Sequence, residues 1–185
     1  TQLSWIKALG ANNHQLIDSV RGLDNVLQSN LASASTAYVT PVGNSVAWNW
    51  KAGTEVTNND GTIESQVSAN PEAGFSVVKY TGNNGVGGSV GTGLSKQVDF
   101  VITKSIDGVV AWVTYHSALG ANKLLILNST SPVVTTAGYW GTPDSSTFGV
   151  SANTLAGNNY QTSQMLAYCF ADVEGYSKFG SYTGN

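Results

Sequence analysis

The sequence predicts an all-β fold with little helix: an antiparallel, jelly-roll-like β-sandwich built from two sequence repeats. Three observations carry this expectation. Branched and aromatic residues gather in runs of strand length, turn-forming Gly, Asn, Asp and Pro stand between those runs, and short motifs recur in the same order in both halves of the 185 residues. In chain order, residues 15–18 read as a strand and residues 23–29 as a short helical turn. Leu16, Val20, Leu23 and Leu27 fall at helical spacings, whereas Asp18, Ser19 and Gly22 interrupt a continuous helix. Residues 75–80 (Phe-Ser-Val-Val-Lys-Tyr), 99–104, 109–115, 123–127 and 165–170 follow as strands. Turns at 83–85 (Asn-Asn-Gly), 107–108 (Asp-Gly), 119–120, 142–144 (Thr-Pro-Asp) and 157–159 separate them, because Gly and Asn tolerate positive φ and Pro presets its own. Asp107-Gly108 is the strongest hairpin signal. The Gly-rich residues 82–93 complete neither a P-loop nor a dinucleotide fingerprint and read as a flexible hairpin.

The repeat sets the domain organisation. Residues 79–83 (Lys-Tyr-Thr-Gly-Asn) recur as 181–185 (Ser-Tyr-Thr-Gly-Asn) at an offset of 102. Residues 5–7 match 102–104 at 97, residues 16–19 match 126–129 at 110, and residues 46–48 match 166–168 at 120. Growing offsets predict longer hairpins in the second copy, around 111–120 and 137–159. The expected division is a first repeat at 1–53 lacking its initial strand, a linker at 54–73, a complete second repeat at 74–173, and a strand at 174–185 that completes the first repeat. A sheet short of one strand exposes unpaired N–H and C=O groups. The final segment, with Tyr176, Phe179, Tyr182 and Asn185, is therefore expected to supply an assembly strand, within the chain or to a neighbour.

Composition narrows the partners. Charged residues make up only 10% of the chain, the net charge is −3, and Arg21 is the single arginine, so no basic patch is available for phosphate backbones. Apolar runs are far shorter than the roughly 20 residues needed to span a bilayer. No basic n-region with an apolar h-region precedes Thr1, so a signal peptide is expected to be absent or already removed. The single cysteine, Cys169, forms no intrachain disulfide and reads as a buried, unreactive thiol. Neither nucleic acid nor membrane is an expected partner.

Catalytic chemistry finds few candidates. His14 and His116 stand apart from any nucleophile motif, no Gly-x-Ser-x-Gly elbow occurs, and no ligand spacing is present, so both read as structural and no metal is expected. Asp172 and Glu174 are the only close acidic pair suited to glycosidase chemistry, and a strand exit accounts for them better. Residues 58–64 resemble a calcium loop faintly, and Asp60-Gly61 reads as a tight turn. No enzyme activity and no cofactor are expected. Carbohydrate binding is the alternative function: Tyr139 and Trp140, or Tyr115 and His116 with Asn122, supply the aromatic platform and polar rim of a sugar site. Trp48 and Trp50 match Tyr168 and Phe170 across the copies and read as core. The sequon at 128–130 (Asn-Ser-Thr) reads as a backbone-capping turn.

The runs at 5–9, 14–22, 46–53, 74–83, 115–120, 125–130 and 167–185 resemble a repeat family in tail and appendage proteins of marine bacteriophages, and the similarity covers nearly the whole chain. Those repeats are similar to concanavalin A-like, laminin-G-like β-sandwich modules. The resemblance implies a jelly-roll-like sandwich in a virion or extracellular setting and assigns no catalytic residue. The expected function is thus a structural component of a bacteriophage appendage, such as a tail fibre, or of a filament. Its expected partners are copies of itself or other virion proteins, with host surface polysaccharide as the ligand of the lectin-like alternative.

Overall fold

The computed structural model describes residues 2–10, 12–41 and 43–184. Fifteen strands form three sheets, and no helix occurs among the described residues. The smaller main sheet has the order β4-β3-β2-β1-β5, built from β1 (Leu3–Ala8), β2 (His14–Asp18), β3 (Asn25–Gln28), β4 (Thr36–Ala37) and β5 (Ser45–Trp50). The larger sheet adds β6 (Glu55–Asn58), β7 (Ser65–Asn70), β8 (Phe75–Thr81), β10 (Phe100–Ser105), β11 (Val113–His116), β12 (Lys123–Ile126), β13 (Val134–Thr135) and β15 (Gln164–Phe170), in the order β13-β12-β11-β10-β15-β8-β7-β6. The remaining strands, β9 (Gly88–Gly91) and β14 (Thr147–Val150), pair with each other in a third sheet, and Val90 forms an isolated bridge to Ile63.

Alternation along the strands makes the large sheet a central layer. One face presents Phe75, Val77, Ile102, Leu166 and Tyr168, and packs on Leu3, Leu16, Leu27 and Trp50 of the small sheet. The other face presents Val78, Tyr80, Val101, Tyr115, Met165 and Cys169, and is covered by Val90, Leu94, Trp140 and Phe148. Both faces of the central strands β8, β10 and β15 are therefore dry, which explains why these strands read as nearly continuous apolar runs. Gly149 marks a close backbone approach within the covering layer, since a Cβ there would meet the Trp140 carbonyl.

The two main sheets share a plan. In each, four strands run as a meander and a fifth returns beside the first: β1 to β4 with β5, and β10 to β13 with β15. Corresponding strands lie 97 residues apart for β1 and β10, 98 for β3 and β12 and for β4 and β13, and 120 at the Ser45–Met165 positions of β5 and β15. The motifs at 5–7 and 102–104, and at 46–48 and 166–168, occupy corresponding positions. The match of 16–19 to 126–129 does not, because β2 corresponds in topology to β11, so Asp18 stands opposite Leu3 as His116 stands opposite Phe100. Extra length in the second half is concentrated between β13 and β15, where β14 and Trp140 close the outer core.

Lys7 and Lys104 repeat a detail of this plan. Each wraps back to cap its own strand exit, Lys7 donating to the Ala8 and Gly10 carbonyls and Lys104 to Ser105 (2.7 Å) and Gly108 (2.8 Å). Lys104 is wholly buried, and burial brings its ammonium down to about 8. The folded protein then binds fewer protons than the unfolded chain between about pH 8 and 10.5, so stability rises with pH through that window. Unfolding free energy should increase by about 2 kcal/mol from Lys104 between pH 7 and 9.5, at roughly 1.4 kcal/mol per pKa unit. Denaturant titrations of the wild type against Lys104→Met isolate the effect: equal pH slopes for the two would refute it.

Several expectations are corrected. Residues 54–73 are no linker, because β6 and β7 pair with each other and with β8 and widen the central sheet. Residues 25–28 form β3 in place of a helical turn, since pairing Leu16 with Leu27 buries both against the large sheet. Strands β10 and β11 do form a hairpin, but its loop runs through 106–112 around the Lys104 cap. Residues 82–93 cross between sheets rather than joining paired strands. Residues 174–184 contain no strand and do not complete the first sheet within their own chain. Tyr176 and Tyr182 are exposed, Phe179 packs on Phe100 (5.8 Å between ring centroids) and Phe170 (5.7 Å), and Asn185 lies outside the described residues.

Candidate functional site

The residues expected to form a sugar platform do not form one. Tyr139 and Trp140 belong to the excursion that folds over the outer face of the large sheet, and both are buried. The Tyr139 hydroxyl accepts from the Gly157 N–H (2.9 Å), and burial pushes it up to about 12. Trp140 meets Tyr115 edge-on at 5.9 Å, and Tyr115 is itself buried. An indole contributes on the order of 200 Å² of surface to such a core, and leaving it in water would cost several kcal/mol. His116 accepts the Ala118 N–H at Nδ1 (3.1 Å), and Asn122 accepts the Gly138 N–H (2.8 Å). Both side chains cap turns. The Asp172 carboxylate accepts from the Phe179 N–H (2.7 Å) and Lys178 (3.2 Å), which hold it below its ordinary range, the backbone bond contributing most. A carboxyl held ionised in this way is poorly suited to be a general acid. Asn128 accepts the Trp112 N–H (3.0 Å), in keeping with a capping turn at 128–130.

The exposed aromatic surface lies where core was expected. Cross-strand register sorts the inward face of the small sheet into rows: Trp50, Leu3 and Asp18; then Trp48, Trp5, Leu16 and Leu27; then Val46, Lys7, His14 and the adjoining Ser29. The large sheet covers the first row and the inner half of the second. The rest overhangs, leaving Trp48 50% exposed and directly opposite the half-buried Trp5. A cleft of about 380 Å³ between Trp5, Trp48, Trp50, Lys7 and His14 adjoins a second of about 680 Å³, whose far wall is the loop 127–130. Tyr168, at the position of the larger sheet corresponding to Trp48, is fully buried.

The same overhang carries an open edge. Strand β5 pairs only with β1 among the described residues, whereas its counterpart β15 is bonded on that side to β8 along seven residues. Backbone bonds from Gln2 to the Trp50 carbonyl and from Leu9 to the Asn44 carbonyl fix the alternation. The even-numbered residues of β5 face β1, and the N–H and C=O groups of Ser45, Ala47 and Asn49 point outward. Other main-sheet edges are blunter: β4 and β13 have two residues and β6 has four.

Layered antiparallel sheets define a β-sandwich protein, and an aromatic cleft and the six-residue edge of β5 lie exposed on it, with no assembled catalytic constellation among the described residues. The chain belongs to the DUF7483 family, a domain of unknown function whose model matches residues 37–185. Searches of curated proteins and of solved structures found no match. Sequence reasoning missed Trp5, Lys7 and His14 as cleft residues. The available signal was Trp5 itself, an indole two residues from a lysine on a strand with period two, but its neighbour Trp48 is set by the β1–β5 pairing.

Proposed function

We propose that this protein is a non-enzymatic structural module of a virion appendage or filament, built from two related sandwich units and assembling head to tail by strand addition. The open β5 edge carries this reading. Its counterpart β15 has a partner strand, β8, that runs into the turn through Tyr80-Thr-Gly-Asn83, and the Tyr-Thr-Gly-Asn motif recurs at 182–185, in a segment whose described residues form no strand in their own chain. Applying the offsets of 102 and 120 to the β8–β15 register sets a neighbouring copy's Phe179 opposite Trp48 and its Tyr182 opposite Ser45. Phe179 leaves its contacts with Phe100 and Phe170 in the exchange. A heterologous joint of this kind propagates into linear stacks. The virion setting and extracellular location rest on the resemblance of the ordered motifs to phage appendage repeats.

Sedimentation analysis and electron microscopy across a concentration series test the proposal. The full chain should form a ladder of head-to-tail oligomers, and deletion of residues 176–185 should leave monomers. Ala47→Pro should have the same effect with the β1 ladder intact, because it removes an outward-facing N–H. A wild type that stays monomeric at every concentration, or oligomers that survive both changes, would refute strand addition.

A further inference from the structure

Four observations at the overhanging end of the sandwich converge. Trp48 and Trp5 stand side by side across the β1–β5 pair, giving apolar π-faces open to solvent. Polar groups surround them: His14 at one end, then Asn30, Asn128, Ser129 and Thr130. Asn30 is held in place, accepting the His14 N–H (2.9 Å) and donating to Asn13 (2.8 Å). The Ser29 hydroxyl, on a residue 3% exposed and lining the same cleft, has no hydrogen-bond partner among the described residues. Finally, Lys7 lines the cleft while no carboxylate does, although the chain as a whole is acidic. An isolated cation among indoles and amides focuses a positive field on whatever enters.

We infer that the cleft between Trp5, Trp48, His14 and Ser29 is a binding site for an acidic polysaccharide, with a pyranose ring stacked on the indoles and its carboxylate turned toward Lys7. A sugar's C–H face matches an exposed indole. Its hydroxyls both donate and accept, so one of them can satisfy Ser29, which an apolar side chain cannot. The combined volume suits a few sugar units. An apolar peptide segment would leave the Ser29 hydroxyl unpaired and cover the Lys7 charge without a counter-charge, which disfavours it. The inference does not rest on head-to-tail assembly: a strand added beside β5 would set Phe179 next to Trp48 as a further ring of the wall, while Trp5, Lys7, His14 and Ser29 lie on the opposite side of Trp48.

Titration calorimetry on the full chain with an alginate-derived hexauronate, using cellohexaose as the neutral comparison, tests the site. The hexauronate should bind at least tenfold more tightly than cellohexaose. Trp48→Ala should weaken it at least tenfold with the melting temperature kept, since half of that side chain is already in water. Lys7→Gln should erase the preference for the acidic sugar, and Ser29→Ala should weaken both sugars. Repeating the titration on the chain lacking residues 176–185 separates the two ideas, since binding should persist there whether or not the wild type assembles. No heat with the hexauronate, equal affinity for cellohexaose, or undiminished binding by Trp48→Ala would each overturn the assignment.

Discussion

Asp18→Ala should lower the unfolding free energy by about 3–5 kcal/mol, because it strands a buried guanidinium. Asp18 is inaccessible to solvent, and the Arg21 side chain is 2% exposed. One carboxylate oxygen accepts Arg21 Nε (2.6 Å) and the Tyr168 hydroxyl (2.8 Å), and the other accepts the Arg21 backbone N–H (2.9 Å). Arg21 also donates to the Leu16 carbonyl (2.9 Å) and Ser35 Oγ (3.2 Å). Tyr168 lies in the large sheet and the others in or beside the small one, so the cluster joins the two layers at a fixed register. Burial, reinforced by the Asp18 charge, drives the Tyr168 hydroxyl well above its ordinary range and keeps it a donor. A melting temperature lower by about 10 °C is expected, at roughly 2–4 °C per kcal/mol for a chain of this size. Replacing both partners, as Asp18→Leu with Arg21→Met, should recover much of the loss, since no unpaired charge is left behind. Calorimetric melting within 1 °C of wild type for Asp18→Ala would show that the cluster does not hold the layers.

Trp112→Ala is the second large effect, about 3–5 kcal/mol by the usual cost of emptying a buried aromatic site. The Trp112 indole is wholly inaccessible, stacks near Tyr168 (6.5 Å between ring centroids), and donates Nε1–H to the Gln28 and Leu31 carbonyls, both 3.0 Å away. It reaches from the β10–β11 loop of the large sheet into the β3–β4 loop of the small one. Trp112→Phe should retain most of the packing and lose about 1–2 kcal/mol with the indole donor, which leaves the Leu31 carbonyl without that partner while the Gln28 carbonyl keeps the Leu31 N–H. Hydrogen exchange discriminates the mechanism: protection should fall further in β2 and β3 than in β8 and β15, because the small sheet depends on this anchor. Uniform loss across both sheets would assign the cost to the central core alone.

Much of the fold was legible along the chain. The strands at 75–80, 99–104, 123–127 and 165–170 appear within a residue or two, since continuous branched and aromatic runs mark a sheet covered on both faces. The strands at 55–58 and 65–70 were not legible: Asn, Ser, Gln and Thr dominate them, and β8 holds them in the sheet through backbone bonds rather than through their own propensity. Exposed aromatics were expected in the wrong place for the converse reason. Tyr139 and Trp140 sit among turn residues and look exposed, yet their excursion closes the outer core. Trp48 looks like core by its match to Tyr168, yet it lies beyond the reach of the covering layer.

By itself the chain determined that it would form short antiparallel strands with few charges, and which side chains alternate along each strand, because these follow from local backbone geometry and residue type. Tertiary structure decided which of two equivalent faces was dry. Trp48 and Tyr168 hold corresponding positions in their sheets, and the offset overlap of those sheets alone buries one and leaves the other open to water.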